Sequence, residues 1–508
     1  MTSQKVVIVG AGAAGVTCAA WLIKHGVKDV TVLEAQDYIG GRIKAEIVDG
    51  QNLDLGAQFV HGREGNPVYE IACKIGLAIY PDPATDNHDD DDTHLIQVPE
   101  EFFTSSGQKL SHKETNQLVE FLTKQLFKEA TDDTVEIDDE GRSEGECYEE
   151  AYRKFLEDNG QKLSPRQRET CDAIFRWYSA YQSIDTAAAD LRELSVWALS
   201  LYRVLRGPRF TYIHGGLTAI LNAVVDLLPR DVIRLNTPVA NVDWSQVQED
   251  PVSGQISVTC KNGEVFPADY VIVTSSLGYL QATHQEMFTP GLPQEMQAAL
   301  SNFGFGGIGK IFLKWDEPFI GLNGTTKNGD VRSFELLWLD SHPLNITSDR
   351  CPEKTRFGKP WWYGIHSVET VYGNPNILEF WLNREQAKIM ETLDESEVKA
   401  VCHEILQNFF KDIKIPEISA IYRTMWVSNP YTQGTYSFLS SRIKKDDLNN
   451  LGKPLPSSNN PRVLFAGEGY ANEFISTVHG AMLSGQKQAN VILNDQGIKP
   501  SSKLVDLI

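Results

Sequence analysis

The sequence has few cysteines, relatively few basic residues and only one long apolar run. Its seven cysteines are odd in number and never spaced as CxxC. This pattern predicts neither a disulfide framework nor a zinc site, and it suits a reducing compartment. Acidic residues outnumber basic ones by 68 to 47, which gives a net charge of −21. A nucleic-acid partner would require a basic face, so we expect none, whereas a cationic small substrate would be attracted.

The one long apolar run covers residues 6–23, carries no charge and is just long enough to span a bilayer. Three of its first ten residues are glycines, which disfavour a membrane helix there. The chain does not end in a peroxisomal tripeptide. We therefore expect no membrane segment and a cytoplasmic location.

The apolar run is better explained by a strand, a glycine turn and a helix. Residues 5–9 are predicted to form a buried strand, 14–25 a helix and 30–33 the next strand. Between the first two lies Gly10-Ala-Gly12-Ala-Ala-Gly15. The first glycine permits a tight turn, the second lets a pyrophosphate approach the backbone, and the third lets helix and strand pack closely.

Glu34 ends the second predicted strand, about twenty residues beyond the last glycine of the loop. An acid at this place binds the ribose hydroxyls of a dinucleotide. The strand, the glycine loop, the helix and the acid together predict a dinucleotide site, although they do not separate NAD from FAD.

The residues after Glu34 resemble the flavin amine oxidase family. The segment Glu34-Ala35-Gln-Asp-Tyr-Ile-Gly-Gly41-Arg42 is similar to the family's extension beyond the acid, where paired glycines and an arginine lie against the FAD pyrophosphate. The likeness continues in segments 54–62, 65–69, 210–217, 237–239, 464–468 and 476–481, and is greatest to animal spermine and N1-acetylpolyamine oxidases.

The resemblance implies FAD as cofactor and a set of residues that contact it. The implied cofactor contacts are Gly10, Gly12, Ala14, Gly15, Glu34, Ala35, Gly41, Arg42, Gly56, Ala57, Gln58, Phe59, Val239, Glu468, Thr477 and Val478. Monoamine oxidases attach FAD through a cysteine where this chain has Thr435, so the FAD is expected to be non-covalent.

Some residues depart from the polyamine oxidase pattern. Phe59 stands where a tryptophan is usual, Val478 replaces a threonine, and Gly469-Tyr-Ala replaces a common Ala-Thr-His. Residues 190–206 do not align with the acidic substrate-selecting stretch, where Asp190 and Glu193 remain unassigned candidates. These departures leave the exact amine open.

Oxidising an amine next to its nitrogen requires an apolar, aromatic slot with acids at its ends. Lys310 is the first catalytic candidate, because the matching lysine of relatives holds a water near the flavin; it could instead be an edge-strand lysine reaching solvent. His61 is the second catalytic and substrate candidate, with a structural role as the alternative. Tyr436 and Thr477 are further substrate contacts. Trp362 and Tyr363 are possible walls, and His479 is expected to be structural.

The predicted function is therefore an FAD-dependent polyamine oxidase that converts spermine, spermidine or an N1-acetyl form with O2 to an aldehyde, a shorter amine and H2O2. The alternatives are another flavin amine or amino-acid oxidase, a desaturase of the same fold, or a non-catalytic flavin-binding interaction protein. An amino-acid oxidase would require an arginine aimed at a carboxylate. We expect a monomer or weak homodimer.

The predicted fold class is α/β, or α+β overall, with a Rossmann-type FAD-binding domain built from discontinuous segments. That domain is assigned to residues 1–80, 207–290 and 455–495, and a mixed sheet-and-helix substrate domain to 81–206 and 291–454, followed by a tail at 496–508. The acidic run at 87–94 is interpreted as a solvated loop, and no metal site is expected.

Overall fold

The computed structural model describes most of the chain, namely residues 4–80, 101–111, 113, 115–116, 118–119, 141–199, 201–250, 252–318, 331–344, 346, 354–355, 358–457, 460–501 and 503–508. The predicted acidic loop at 87–94 lies outside these residues, as do parts of the assigned substrate domain.

The first predicted strand is the central strand of a five-stranded parallel sheet. Its strands follow the spatial order Val463–Phe465, Tyr270–Val273, Lys5–Val9, Asp29–Leu33 and Ile233–Arg234. Every neighbouring pair is parallel. The buried, continuously apolar strands are typical of a sheet covered on both faces. The strands come from three separated parts of the chain, as a discontinuous nucleotide-binding domain would require.

The apolar run at 6–23 divides between the central strand and the helix Ala13–Lys24, as the glycine loop predicts. This helix packs against the helix Val478–Asp495, and Gly485 allows the close approach, since a Cβ there would lie 2.3 Å from the Ala14 carbonyl oxygen. In the described part of the chain, no helix is both long and apolar enough to cross a membrane.

A six-stranded mixed sheet forms a second layer. Its strands follow the order Ala420–Arg423, Ile308–Lys314, Asn374–Asn383, Ser367–Val371, Ser333–Leu337 and Phe102–Thr104. One face is apolar and packs on the helix Glu395–Phe409. The other face carries buried polar residues that include Lys310, Glu335 and Glu379. Alternation along a strand places such residues on one side of the sheet.

Smaller sheets and further helices complete the described fold. A four-stranded sheet contains Val265–Ala268, Ile256–Cys260, Val239–Asp243 and Phe288–Thr289, and three strand pairs are Ala45–Val48 with Gln51–Asp54, Ile79–Tyr80 with Tyr212–Ile213, and Gly304–Phe305 with Ser437–Phe438. The remaining α-helices are Pro67–Lys74, Glu144–Asn159, Pro165–Thr186, Val196–Leu199, Gly216–Val225, Ser245–Glu249, Leu277–Met287, Gln294–Asn302, Arg384–Met390 and Lys445–Asn450. The boundaries of the two assigned domains stay a prediction.

Candidate active site

The glycine loop joins the central strand to its helix, and its three glycines meet different surroundings. Gly10 has φ of +106°, which favours glycine, and a Cβ there would lie 2.6 Å from Thr274 Oγ1. A Cβ at Gly15 would lie 2.0 Å from the Gly10 carbonyl oxygen, so this glycine serves packing. A Cβ at Gly12 would approach nothing closer than Gly40 O at 3.9 Å. The absence of a side chain at Gly12 therefore leaves space toward a cavity.

Glu34 follows the neighbouring strand Asp29–Leu33 and binds the glycine loop through its carboxylate. Its carboxylate accepts hydrogen bonds from the backbone N–H of Ala11 at 2.7 Å and of Gln36 at 2.8 Å. Burial raises the pKa of Glu34, against the lowering effect of these backbone bonds. The carboxylate also lines the cavity beside the loop, where the sequence predicts ribose recognition.

Arg42 and Glu468 connect the segment after the acid to the end of the chain. Arg42 Nη1 donates to Glu468 Oε1 at 2.7 Å and to the Thr435 carbonyl oxygen at 2.6 Å. Glu468 also accepts from the Ser437 hydroxyl at 2.9 Å and from the Ser476 N–H at 3.1 Å. This buried carboxylate thus fixes three distant segments around one side of the cavity.

A second helix N-terminus faces the same cavity. Thr477 caps the helix Val478–Asp495, accepting from the Gly480 N–H at 3.0 Å and donating to the Phe474 carbonyl oxygen at 2.7 Å. Its hydroxyl is therefore already engaged within the chain. Thr477 and Val478 line the cavity together with Ala14 of the glycine-loop helix. Two helix N-termini facing one cavity favour a ligand with negatively charged phosphates.

The cavity measures about 840 Å³ and brings together residues from the whole chain. All of the predicted cofactor contacts line it except Gly15, which lies behind the loop. Lys310, His61 and Tyr436 line it as well. The open face of Gly12 and the two helix N-termini fit the pyrophosphate of a dinucleotide. The residues that would hold the flavin end are those of segment 56–59, which pass between Arg42 and Lys310.

Lys310 lies on the second strand of the six-stranded sheet, and only 4% of it is exposed. Its Nζ donates to the carbonyl oxygens of Gly56 at 3.1 Å and Asp54 at 3.3 Å, and to Gln58 Oε1. Glu379 Oε1 lies 3.2 Å from the same nitrogen, and the Trp381 ring lies 4.4 Å from it. The alternative of an edge-strand lysine that reaches solvent is therefore wrong, because the strand has a neighbour on each side.

His61 carries its proton on Nδ1, because that nitrogen lies 3.1 Å from the Arg209 carbonyl oxygen, which can only accept. Burial lowers the pKa of His61, with opposing contributions from Asp185 and Arg209. The ring is therefore neutral at neutral pH and leaves Nε2 as an acceptor. His479 is also buried in the cavity wall, its pKa is lowered to about 3 by burial, and Asn66 contacts its Nδ1 at 3.4 Å.

Aromatic side chains form the walls near these groups. Tyr436 donates its hydroxyl to the Ile184 carbonyl oxygen at 2.6 Å. Phe59 packs against Phe210 at 4.8 Å and lies stacked 6.4 Å from Trp381. Tyr181 also lines the cavity. An aromatic slot of this kind favours the methylene chain and the cationic nitrogens of an amine.

Two predicted aromatic walls are wrong. Trp362 is buried in the apolar core on the other side of the six-stranded sheet, and Tyr363 packs there beside Trp338. Neither lines the cavity. Asp190 and Glu193, the unassigned acids of the sequence, also lie outside its walls. The type of a residue, aromatic or acidic, does not indicate on which side of a sheet the helix or loop that carries it will pack.

Three acids that the sequence did not single out do line the cavity: Glu144, Asp185 and Glu369. Asp185 pairs with Arg209 at 2.7 Å. Burial, with a smaller contribution from Asp185, raises the pKa of Glu144 to about 8. Burial and the neighbouring Glu379 and Glu335 likewise raise the pKa of Glu369 to about 8.

A sequence signal for Glu369 exists in the strand pattern. In Ser367-Val-Glu369, polar and apolar residues alternate, as on a strand with two different faces, and Thr370 interrupts the pattern. Glu379 stands alone among the apolar residues of the neighbouring strand and is the direct cross-strand partner of Glu369. The cross-strand pairing places both carboxyls on one face, and the packing against this sheet shows that the face borders the cavity.

A family model described as flavin containing amine oxidoreductase matches residues 13–493. The human peroxisomal N(1)-acetyl-spermine/spermidine oxidase is 30% identical over 508 residues, covering 96% of this chain and 95% of the human protein. Probable polyamine oxidase 5 of Arabidopsis thaliana is 27% identical, covering 96% of this chain and 98% of the plant protein.

A solved structure shares the fold. It is a double mutant of putrescine oxidase made to redesign cofactor binding, with a TM-score of 0.65 and 17% identity, and the match covers 96% of this chain and 99% of that one. The likeness confirms the predicted fold class.

Proposed function

The chain belongs to the flavin-containing amine oxidoreductase family, and from this membership we propose that it is an FAD-dependent polyamine oxidase. Membership confirms the resemblance seen in the sequence and makes the protein a flavin-dependent amine oxidase. The proposed substrates are spermine, spermidine or their N1-acetyl forms, with O2 as acceptor and an aldehyde, a shorter amine and H2O2 as products. Two relatives with polyamine or acetylated polyamine oxidase names support this choice.

FAD is the proposed flavin because the site offers a dinucleotide cradle. Gly12 leaves space beside a helix N-terminus, and Glu34 stands where a ribose would be recognised. We propose non-covalent binding because Thr435, at the position of the attaching cysteine in monoamine oxidases, offers a hydroxyl and not a thiol. The hydroxyl already accepts the Ile308 N–H at 3.1 Å.

The observation that carries the polyamine proposal is the row of acids around an aromatic slot. A polyamine keeps its other nitrogens cationic while one is oxidised, and each cation requires an acceptor. Glu369, Asp185 and Glu144 line the same cavity as Lys310, among tyrosine and tryptophan rings. The net charge of −21 would favour the approach of such a cation.

The chain's own residues can handle the reacting nitrogen. Bound FAD would accept two electrons from the amine and pass them to O2. His61 presents its neutral Nε2 as an acceptor for an N–H of the substrate. Lys310 presents a fixed cation next to segment 56–58, and Tyr436 bounds the slot. The neutral imidazole can thus take up the proton that an ammonium form of the substrate must lose before oxidation.

An amino-acid oxidase is less consistent with the cavity. Such an enzyme would aim an arginine at the substrate carboxylate. The cavity arginines Arg42, Arg203 and Arg209 each pair with an acidic side chain of the chain itself. The polyamine proposal is therefore the more consistent one.

The cytoplasmic location and the monomer or weak homodimer remain predictions. Because a relative is named peroxisomal, the location should be tested by imaging.

A screen of peroxide release tests the substrate proposal directly. The purified protein should be yellow, and acid precipitation should release its flavin into the supernatant as FAD. Peroxide should form with spermine, N1-acetylspermine or spermidine and much more slowly with benzylamine or leucine. A preference for benzylamine or leucine would contradict the proposal, and colour retained in the pellet would contradict non-covalent binding.

Replacing Glu369 with Gln should weaken polyamine binding in a pH-dependent way. Because its pKa is raised to about 8, Glu369 holds its proton below that pH and gains its negative charge above it. The KM of the wild type for spermine should therefore fall as pH rises toward 8, beyond the change caused by substrate ionisation. At pH 8.5 the variant should show a KM roughly tenfold or more higher, the value expected for one charge-assisted hydrogen bond.

Substrate ionisation is common to both enzymes, so the ratio of the two KM values isolates Glu369. Benzylamine serves as the control, because it has no second nitrogen and should show a ratio near one at each pH. A spermine ratio that stays near one from pH 6 to 9 would remove Glu369 from polyamine recognition.

A further inference from the structure

A small second cavity adjoins the main one beside Lys310. It measures about 40 Å³, which leaves room for roughly two or three waters. Gln58 and Tyr212 line both cavities. The inner wall includes Asp54 and Glu379, and the rim includes the exposed residues Gln51, His214 and Gly373. The cavity therefore leads from the surface to the groups that hold the Lys310 ammonium.

The two acids of the inner wall stand in different relations to Lys310. Glu379 is 2% exposed, and its Oε1 lies 3.2 Å from Lys310 Nζ without a hydrogen-bond partner of its own within the described residues. Its Oε2 accepts from Gln58 Nε2 at 3.4 Å. Asp54 contributes its backbone carbonyl to Lys310, at 3.3 Å, and turns its carboxyl toward Gly216. The carboxyl of Asp54 thus borders the small cavity.

The charges around this cavity do not balance if every acid is ionised. Lys310 faces Asp54 and Glu379, and Glu369 lies beside Glu379 on the next strand. Burial raises the pKa of Asp54 to about 7, with Lys310 lowering it and Glu379 raising it, and burial also raises the pKa of Glu379. The neighbouring Tyr212 has its pKa raised well above the ordinary range, so it stays neutral. At least one carboxyl near Lys310 therefore holds a proton at neutral pH.

The reduction of oxygen to peroxide requires protons of this kind. Each O2 that becomes H2O2 takes up two electrons and two protons. FAD bound in its reduced, anionic form would supply both electrons and one proton, so the second proton would have to come from elsewhere. Lys310 is a cation of the cavity wall beside segment 56–58, and its N–H groups can supply that proton.

We propose that the small cavity lined by Asp54, Gln58 and Glu379 is a proton-entry path that resupplies the Lys310 ammonium from solvent during oxygen reduction. In the first step an N–H bond of Lys310 breaks and an O–H bond of the peroxide forms. In the second step the carboxyl O–H bond of Asp54 breaks, Glu379 passes the proton on, and the N–H bond of Lys310 forms again. Solvent then protonates the carboxylate through the rim. The proposal rests on the proposed oxidase function only in placing Lys310 beside the flavin.

The test uses the flavin-loaded enzyme without any amine, so it does not depend on the substrate assignment. The flavin is reduced by light under argon, mixed with O2, and followed by absorbance as it reoxidises between pH 6 and 9. Asp54→Asn and Glu379→Gln should each slow reoxidation about tenfold or more. This expected minimum is smaller than the roughly 100- to 10,000-fold loss typical when a proton-transfer group itself is removed. The wild-type rate should fall above about pH 7, and that fall should disappear in Asp54→Asn.

Two further readouts separate proton supply from a structural effect. Formate, a small weak acid, should restore much of the lost rate in Asp54→Asn. The infrared difference spectrum between oxidised and reduced enzyme should contain a protonated-carboxyl band that this variant lacks. The matched control is Asp49→Asn. Asp49 lies on the same hairpin as Asp54 and pairs at 3.1 Å with Lys314, which lies on the same strand as Lys310, but this pair is at the surface. It should reoxidise within twofold of the wild type.

Certain results would overturn the proposed path. One is reoxidation of both acid variants at the wild-type rate across the pH range. Another is a slowing that is the same at every pH and unaffected by formate, which would assign the two acids to the fold alone. Failure of the polyamine screen with a positive result here would leave the path in place and change only the substrate.

Discussion

Replacing Lys310 with Met should lower the turnover of the best amine by roughly 100- to 1,000-fold, within the range found for proton-transfer groups, while the protein stays yellow. The methionine side chain fills similar space but has no charge. Turnover would lose the fixed cation that the strand Ile308–Lys314 presents beside segment 56–58. The flavin should stay bound, because the cradle of its phosphates lies at the two helix N-termini and not at this strand.

The rate of turnover should be measured as peroxide formation, and flavin content by absorbance of the same sample. Lys314→Met is the matched control, since Lys314 lies on the same strand and pairs with Asp49 at the surface. It should retain turnover within about twofold, as surface substitutions usually do. A Lys310→Met enzyme as fast as this control would remove Lys310 from catalysis.

A structural cause for slow turnover can be separated from a chemical one. Removing the cation leaves the buried Glu379 without its partner, and an unpaired buried charge is destabilising. The double variant Lys310→Met with Glu379→Gln removes both charges, so it should unfold at a higher temperature than Lys310→Met alone. It should remain as slow as the single variant. Recovery of turnover in the double variant would assign the loss to the buried charge and not to Lys310.

Replacing Gly12 with Ala should weaken FAD binding at least tenfold with little change in the stability of the flavin-free protein. A Cβ at this position meets no protein atom closer than 3.9 Å, so the fold accepts it. The methyl group would occupy the space beside the N-terminus of the helix Ala13–Lys24, where a pyrophosphate approaches the backbone. Lost contacts to a charged phosphate typically cost about 1.5–3 kcal/mol each.

Titration of the flavin-free variant with FAD, followed by flavin fluorescence, measures the effect. Gly15→Ala gives the contrasting case, because its Cβ would lie 2.0 Å from the Gly10 carbonyl oxygen and should lower the unfolding temperature. Gly160→Ala is the neutral control, at a helix end with ordinary φ of −58°. A Gly12→Ala protein that binds FAD as tightly as the wild type would contradict the pyrophosphate position.

The glycine-loop half of the site can be predicted from the sequence alone. The central strand, the loop, the helix and Glu34 are close in the chain, and each glycine has a local reason that spacing reveals. The predicted helix at 14–25 is observed as Ala13–Lys24, and the predicted strand at 30–33 as Asp29–Leu33. A local motif can be read in this way because its hydrogen bonds and close contacts are made within one supersecondary unit.

The sequence also identified Lys310 by a contrast, since a lone lysine stands in an apolar strand. The sequence did not reveal the groups that contact the ammonium of that lysine. These are Glu379 on the adjacent strand and the carbonyl groups of Asp54 and Gly56. These partners are distant in the chain and belong to different elements. Only sheet register and layer packing bring them to one nitrogen.

The substrate half of the cavity depends on long-range packing that the sequence does not reveal. Alternation over residues 367–369 places Glu369 on one face of its strand, but the same alternation would be seen if that face were exposed to water. Trp362 shows the converse error, an aromatic expected in the cavity that packs into the opposite core. The side of a sheet that borders a cavity depends on which layers pack against it, which is a property of the whole fold. For this reason the cofactor loop was predictable from spacing, and the acids that surround the amine were not.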